Sequence, residues 1–545
     1  MTGIENPILR GFNPDPSFCR AGDDYYIATS TFEWYPGVQI HHSRDLVNWT
    51  LAARPLSRAS QLDMRGNPDS CGVWAPSLSY ADGLFWLVYT DVKRYDGSYK
   101  DAHNYIVTAE SVSGPWSDPV YANSSGFDPS LFHDDDGRKW FLNMVWDHHG
   151  TQSLPQRHRE SHFGGILLQE FDVDSGALAG PIRNIFRGSE LDFVEAPHLY
   201  KRNGWYYLIT AEGGTGYQHA VTHCRSRDLG GPYELHPENP LLSAREFPDN
   251  PLQRTGHGQF VELPDGSVYH TFLCSRPLPG THLSPMGRET GIARCYWGDD
   301  DWLHHDQGTP AAAQHCAAPA FATAAEPSMY PESTTTDFTG SQLPAEFQWL
   351  RTPQPERLFS LSERPGWLRL YGRESVGSWF EQALVARRQT EWVFSAETAV
   401  AFEPQGYQQM AGLICYYNRH QFHYLYLTAT EAGELQLMIQ SSPGNWPEGH
   451  LQFPITPLAL ATSSEVPGLG VDVDHAKLQF RYSTDGSSWQ PFGPLLDASV
   501  LSDEGGRGEH ASFTGHFVGM AAQDLSGRAQ PADFSYFRYH SGPAR

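Results

Sequence analysis

Three acids stand ahead of prolines in matching phrases. Asp15 lies in "GFNPDPSF" and Asp128 in "GFDPSLF", each directly before Pro-Ser and a hydrophobic run, and Glu195 opens "EAPHL". Taken singly, an acid before proline is a turn former, because Asp side chains bond to nearby backbone. Three such acids carry more meaning if the fold brings them together. Carboxylates crowded into one cavity push at least one pKa upward, so one can stay protonated while another stays ionised. Acetal hydrolysis needs that division: an acid for the departing oxygen and a base or nucleophile on the opposite face of the ring. An aromatic-rich pocket would suit a sugar, whose C–H face stacks on rings while its hydroxyls find polar groups.

Internal repeats supply the means of gathering these acids. Besides "PDPSF" and "FDPSL", related phrases occur as "WAPSL" from Trp74, "EAPHL" from Glu195 and, more weakly, "GHGQF" from Gly256, five copies spaced by roughly 50 to 70 residues. Each is followed by a turn signal and an aromatic run, as in "GDDYYIATS", "DGLFWLVYT", "DDDGRKWFLNM", "NGWYYLITAE" and "DGSVYHTFL". Asp-Gly and Asn-Gly steps favour hairpin turns because those residues tolerate positive φ. "SRDLVNW", "ESVSGPW" and "SRDLGGPY" close several units. About four strands at this period is the pattern of a β-propeller blade, and five copies predict five blades. In a propeller the first strand of each blade lines the central channel, so Asp15, Asp128 and Glu195 are expected to face one cavity.

Composition narrows the class. The chain has 545 residues, 51 Gly, 40 Pro and 13% aromatics, which favours many short strands with tight turns. A formal charge of -25 argues against nucleic acid or an anionic membrane as partner. The opening "MTGIENPILR" has neither a basic nor an apolar signal region, and no apolar run is long enough to span a bilayer. The seven cysteines, an odd number without a CxxC pair, read as free thiols of a cytoplasmic protein.

"NPDPSF", "STFEWYPGVQIHHSRDLVNW", "GVWAPSL", "GFDPSLFHDDDG", "VEAPHLY", "NPLQRTGHGQ" and "GRET" closely resemble the glycoside hydrolase family 43 β-xylosidases, in the branch with a C-terminal β-sandwich. The resemblance runs from about residue 6 to the last strands. It implies a five-bladed propeller, a concanavalin-like jelly-roll sandwich and inversion at the anomeric carbon. It makes Asp15 the general base, Glu195 the general acid and Asp128 the residue that tunes and orients the acid. Phe32 and Trp74 resemble subsite aromatics, although a propeller tryptophan also serves as core packing. Arg288 in "GRET" resembles an arginine that meets substrate hydroxyls. His257 matches a histidine near the channel axis that binds a divalent cation such as calcium, directly or through water; its residues alone equally admit a hydrogen-bonded core histidine. The "QF" that follows is a departure from the family pattern.

The Ala/Pro/Thr-rich stretch from Gly308 breaks the strand pattern. The domains expected are a catalytic propeller over 1–307, a linker over 308–332 and a sandwich over 333–545. In the sandwich, "FHYLYLTAT", "ELQLMIQSS" and "KLQFRYSTDGSSW" alternate apolar and polar residues. Alone it could be a carbohydrate-binding module; the resemblance implies instead a partner whose loop phenylalanine, Phe513 in "SFTGHFVGM", closes the active site and makes the enzyme exo-acting. "HDDDG" from His133 lacks the ligands of an EF-hand loop and is expected at a hairpin turn. "GGTGY" from Gly213 is no phosphate loop. The histidines of "WDHHGTQSLPQRHRESHFGG" fit no metal template and are placed on a long loop near the pocket mouth.

These readings predict an inverting exo-β-1,4-xylosidase acting on xylooligosaccharides without an organic cofactor, assembled as a homodimer or homotetramer. Two alternatives stay open: an enzyme that is primarily an α-L-arabinofuranosidase, and a non-catalytic carbohydrate-binding propeller, which would not need three acids at matched inner positions.

Overall fold

The computed structural model describes residues 3–150, 161–323, 329–444, 450–460, 466–506 and 512–542. The chain divides into two compact units. The first comprises Met1–Leu62, Cys71–Arg276 and Arg288–Met329, and the second Asp63–Ser70, Pro277–Gly287 and Tyr330–Arg545.

The first unit is a five-bladed β-propeller, as the repeats predict. Each blade is an antiparallel sheet in chain order. Its inner strands are Ser17–Ala21, Gly72–Ala81, Ser130–His133, Glu195–Arg202 and Gln253–Glu262. The aromatic runs form the second strands, which are nearly all buried: Leu84–Arg94 and Val268–Ser275 are examples. "HDDDG" forms the turn between Ser130–His133 and Lys139–Trp146, closed by the Gly137 N–H donating to Asp134 O at 3.0 Å. Of the histidine-rich loop, residues 151–160 lie outside the described residues.

The cores lie between blades. Phe18, Tyr25, Ile27 and Trp49 of the first blade pack on Val261, Tyr269 and Ile292 of the fifth. Trp86, Val88 and Ile106 of the second meet Leu131, Phe141 and Phe171 of the third. Polar latches tie the inner strands together. Ser17 Oγ donates to Gln259 Oε1 at 2.8 Å and accepts from the Leu78 N–H at 2.8 Å, joining the first blade to the fifth and second. Within the stretch read as a linker, His315–Ala317 pairs with Gly3–Glu5, and Cys316 enters the core between the first and fifth blades. That segment carries a strand because Cys316 offers an apolar side chain to this core.

The second unit is a β-sandwich. One sheet is built around Pro531–Ser541 and Val393–Phe402, the other around Phe517–Asp524 and Gln409–Asn418. The alternation expected of "FHYLYLTAT" differs in the fold, because Gln421–Ala429 is buried throughout. A loop covers its polar face and takes up its side chains: Gln421 Nε2 donates to Ser502 O at 3.0 Å, and His423 Nε2 meets Asp497 O at 3.0 Å.

Candidate active site

One backbone feature recurs in every blade. Asp15, Ala75, Asp128, Ala196 and His257 all have positive φ, at 56°, 36°, 53°, 51° and 34°. Non-glycine residues seldom adopt this region, and holding one there costs on the order of 1–3 kcal/mol unless the surroundings fix it. The inner strands slip register here, between Trp74 and Ser77, Glu195 and His198, and Gly256 and Gly258. A bulge of this kind re-aims a side chain. Asp15 and Asp128 thus occupy the same structural position, His257 is its equivalent in the fifth blade, and Glu195 lies one residue earlier. The glycines around His257 answer to close packing: a Cβ on Gly256 would lie 1.9 Å from His219 Cδ2, and one on Gly258 would lie 1.8 Å from Thr271 O.

The side chains converge. Asp15 Oδ2 accepts from Ser30 Oγ at 2.6 Å, and its Oδ1 lies 3.2 Å from Arg288 Nη1 and 3.8 Å from His257 Nδ1. Ser30 Oγ also accepts the Ala75 N–H at 2.7 Å, locking the first inner strand to the second. Arg288 Nη1 reaches Thr215 Oγ1 at 3.2 Å, and its guanidinium stands 5.1 Å from the Phe32 ring centroid. Thr215 is held from behind by Arg254, whose Nη2 donates to Thr215 O at 3.0 Å. Phe32 packs on Phe12 at 5.5 Å and on Trp74 at 5.8 Å, Trp74 on Phe127 at 5.5 Å, and Phe127 on Trp146 at 6.2 Å, an aromatic wall beside the acids.

Electrostatics divide the carboxyls. Burial alone would raise the Asp15 pKa, but Arg288, His257, the Ser30 hydrogen bond and His219 together hold it below the ordinary carboxylate value. Glu195 goes the other way: burial and the charge of Asp15 push it up to about 8, against the pull of Arg288 and Lys100. Asp128 is also raised well above its ordinary value, by burial and then by the charges of Glu195 and Asp15. Asp128 and Glu195 therefore form a buried acid pair that retains protons, while Asp15 is ionised. Burial keeps His257 neutral and takes His198 and His219 down to about 3.

Asp15, Phe32, Trp74, Asp128, Glu195, His257 and Arg288 are all in the propeller unit. Phe513 belongs to the second unit, where its N–H donates to Ser70 Oγ at 2.9 Å and the next residue's N–H donates to Tyr417 Oη at 3.2 Å. Ser30, Thr215, Lys100, Phe127 and Trp146 were not selected from the sequence. Thr215 stands in the "GGTGY" loop and supplies a partner for Arg288. Gln259, in the "QF" departure, is the latch that receives Ser17. Among the described residues, Asp147, His148 and His149, and His236, Asp300 and His304, bring donor atoms within 4.8 Å of one another; neither group includes His257.

The family model for glycosyl hydrolases family 43 matches residues 4–303, and that for the β-xylosidase C-terminal concanavalin A-like domain matches 335–540. The chain belongs to glycosyl hydrolase family 43. It is 56% identical over 540 residues to a xylosidase/arabinosidase 43B of Humicola insolens, covering 99% of this chain and 98% of that protein. It is 43% identical to a xylan 1,3-β-xylosidase of a Vibrio species, covering 99% of each. The crystal structure of a xylan β-1,4-xylosidase from Bacillus halodurans C-125 superposes with a TM-score of 0.93 at 47% identity, over 99% of this chain and 100% of that one.

The coupling between the two buried acids has a measurable consequence. Asp128 and Glu195 are coupled, so the pair gives up its protons in two steps and the charge left by the first raises the second. Asp128→Asn abolishes that charge and leaves Glu195 to ionise in a single step at lower pH. The alkaline limb of the kcat/KM profile, near pH 8 if it reports Glu195, should move to lower pH in Asp128→Asn. A limb left in place with only a raised KM would assign Asp128 to substrate binding alone.

Proposed function

We propose that this protein is an inverting, exo-acting β-1,4-xylosidase that releases xylose from the non-reducing ends of xylooligosaccharides. The observation that carries the reading is the division of the carboxyls, with Asp15 of the first blade held ionised and Glu195 of the fourth held protonated. In the step proposed, a water oxygen attacks the anomeric carbon and its proton passes to Asp15. The carbon–oxygen bond breaks with its electron pair on the departing oxygen, which takes the proton of Glu195. Asp128 orients and tunes Glu195. Arg288, backed by Thr215, meets sugar hydroxyls, and Phe32 and Trp74 offer ring faces to the sugar. A non-catalytic binding propeller would have no use for an acid and a base set apart in this way.

Proton NMR of the first turnovers on a β-xyloside tests the mechanism. α-Xylose should appear before mutarotation, whereas initial β-xylose would overturn both inversion and the role of Asp15. Exo action should give xylose from the outset on longer oligomers rather than a ladder of products. The Humicola relative's double name favours a second activity on α-L-arabinofuranosides, and the Vibrio relative makes 1,3-linked xylobiose the necessary control for linkage. A panel of these substrates ranks them.

The remaining proposals rest on narrower support. A divalent cation near His257 fits as a largely hydrated ion, because calcium takes about six to eight oxygen ligands and His257 has Asp15 at 3.8 Å as its carboxylate neighbour; metal analysis of the purified protein tests it. The exposed Leu451, Phe453 and Leu495 support a homodimer or homotetramer, tested by light scattering. Seven free, buried cysteines support a cytoplasmic location, tested by cell fractionation.

A further inference from the structure

Lysine is scarce in this chain, which has only Lys93, Lys100, Lys139, Lys201 and Lys477. Lys93, Lys139 and Lys201 each meet a carboxylate, at 2.7, 2.6 and 2.6 Å. Lys100 forms no ion pair among the described residues. Its Nζ donates to Tyr95 O at 3.0 Å and lies over four rings, 4.4 Å from the centroid of Trp146, 5.4 Å from those of Trp74 and Tyr95, and 5.6 Å from that of Phe127. Trp146 also anchors the loop that carries it, since its Nε1 donates to Ser98 O at 2.9 Å.

This setting holds a cation without cancelling it. Ring faces attract an ammonium through their quadrupoles, whereas a carboxylate partner would neutralise its field. Two of the ring walls, Trp74 and Phe127, belong to the aromatic wall beside the acids. The charged groups facing Glu195 are Asp15, Arg288 and Lys100, with Asp128 as its coupled neighbour; those facing Lys100 are Glu195, Cys71, Asp96 and Asp128. Arg288 is committed to Asp15 at 3.2 Å, which leaves Lys100 as the cation not already paired.

We propose that Lys100 is a positioning residue that acts through Glu195, supplying the fixed positive charge against which the acid releases its proton to the leaving oxygen and recovers it afterwards. The inference rests on Glu195 being the general acid. The reciprocal influence is visible on the lysine: burial brings Lys100 down to about 8, and the charge of Glu195 is the largest pull in the opposite direction.

The test is the pH dependence of kcat and kcat/KM for Lys100→Met and Lys100→Arg on xylobiose and on an activated aryl xyloside. Removing a cation disfavours ionised Glu195, so the alkaline limb should rise by about one pH unit in Lys100→Met. A weaker acid should also cost about tenfold in kcat on xylobiose and much less on the aryl substrate, with KM little changed. Lys100→Arg should keep the wild-type limb. An unmoved limb in Lys100→Met, or a change confined to KM, would overturn the proposal. A measurement on chains with Lys100 intact guards against a misfolded variant: with ε-carbon-labelled lysine, the Lys100 resonance should titrate near pH 8 in the wild type and at lower pH in Glu195→Gln. An identical titration in both overturns the coupling. Failure of the wild type to release α-xylose would sink the functional reading, whereas a wild type that does so beside an unmoved Lys100→Met limb sinks this inference alone.

Discussion

Glu195→Ala should lose about 10³-fold in kcat/KM on xylobiose and far less on a nitrophenyl xyloside. General-acid assistance supplies about 10²–10⁴-fold, and a loss of about 10³ corresponds to roughly 4 kcal/mol of transition-state stabilisation. Its value depends on the oxygen that departs. A sugar hydroxyl is a poor leaving group and needs the proton as the bond breaks, whereas a nitrophenolate leaves with little protonation. Glu195 is suited to the task because burial and the charge of Asp15 keep it protonated up to about pH 8. The alkaline limb should therefore vanish in Glu195→Ala when the aryl substrate is used, since the group that titrates there is gone. Equal losses on both substrates, or a persistent limb, would mean that Glu195 is not the acid.

The parts of this site differed in how clearly the sequence carried them. Asp15 and Asp128 were legible because the same positive-φ step recurs and in four of the five blades is written directly before proline, His257 being followed by Gly258 instead. The structure sharpens that reading. The repeat position is marked by positive φ at Asp15, Ala75, Asp128, Ala196 and His257, so Glu195 is found by its neighbour Ala196. The blades were legible because Asp-Gly and Asn-Gly turns and aromatic runs are local features.

Ser30, Thr215 and Lys100 were not legible, because each acts through a contact distant in sequence. Ser30 reaches Asp15 within its own blade and Ala75 in the next, and Thr215 reaches Arg288 from another blade. Nothing in "ATSTF" or "GGTGY" announces those partners. Lys100 left one trace, the near absence of lysine elsewhere, but only the ring cage gives that scarcity meaning. The all-buried strand Gln421–Ala429 escaped the alternation rule for a similar reason, since the loop that covers its outer face lies about 75 residues further on.

Asp15→Ala should be as damaging as loss of the acid but with the opposite substrate signature. A base that activates water acts on the nucleophile, so its contribution does not depend on the leaving group. The loss, again about 10²–10⁴-fold, should be nearly the same on xylobiose and on the nitrophenyl xyloside. Asp15 also neutralises Arg288 at 3.2 Å and is the largest charge raising Glu195. Alanine leaves a buried guanidinium without that partner, so Asp15→Asn, which keeps an oxygen for Ser30, separates lost basicity from lost packing. In either variant the alkaline limb should move to lower pH, because removing the Asp15 charge makes Glu195 easier to ionise. Unfolding alone would lower activity without moving that limb, so the shift identifies the electrostatic link between base and acid. If the activity lost in Asp15→Asn depended on the leaving group, or if the limb stayed in place, Asp15 would not be the base proposed for it.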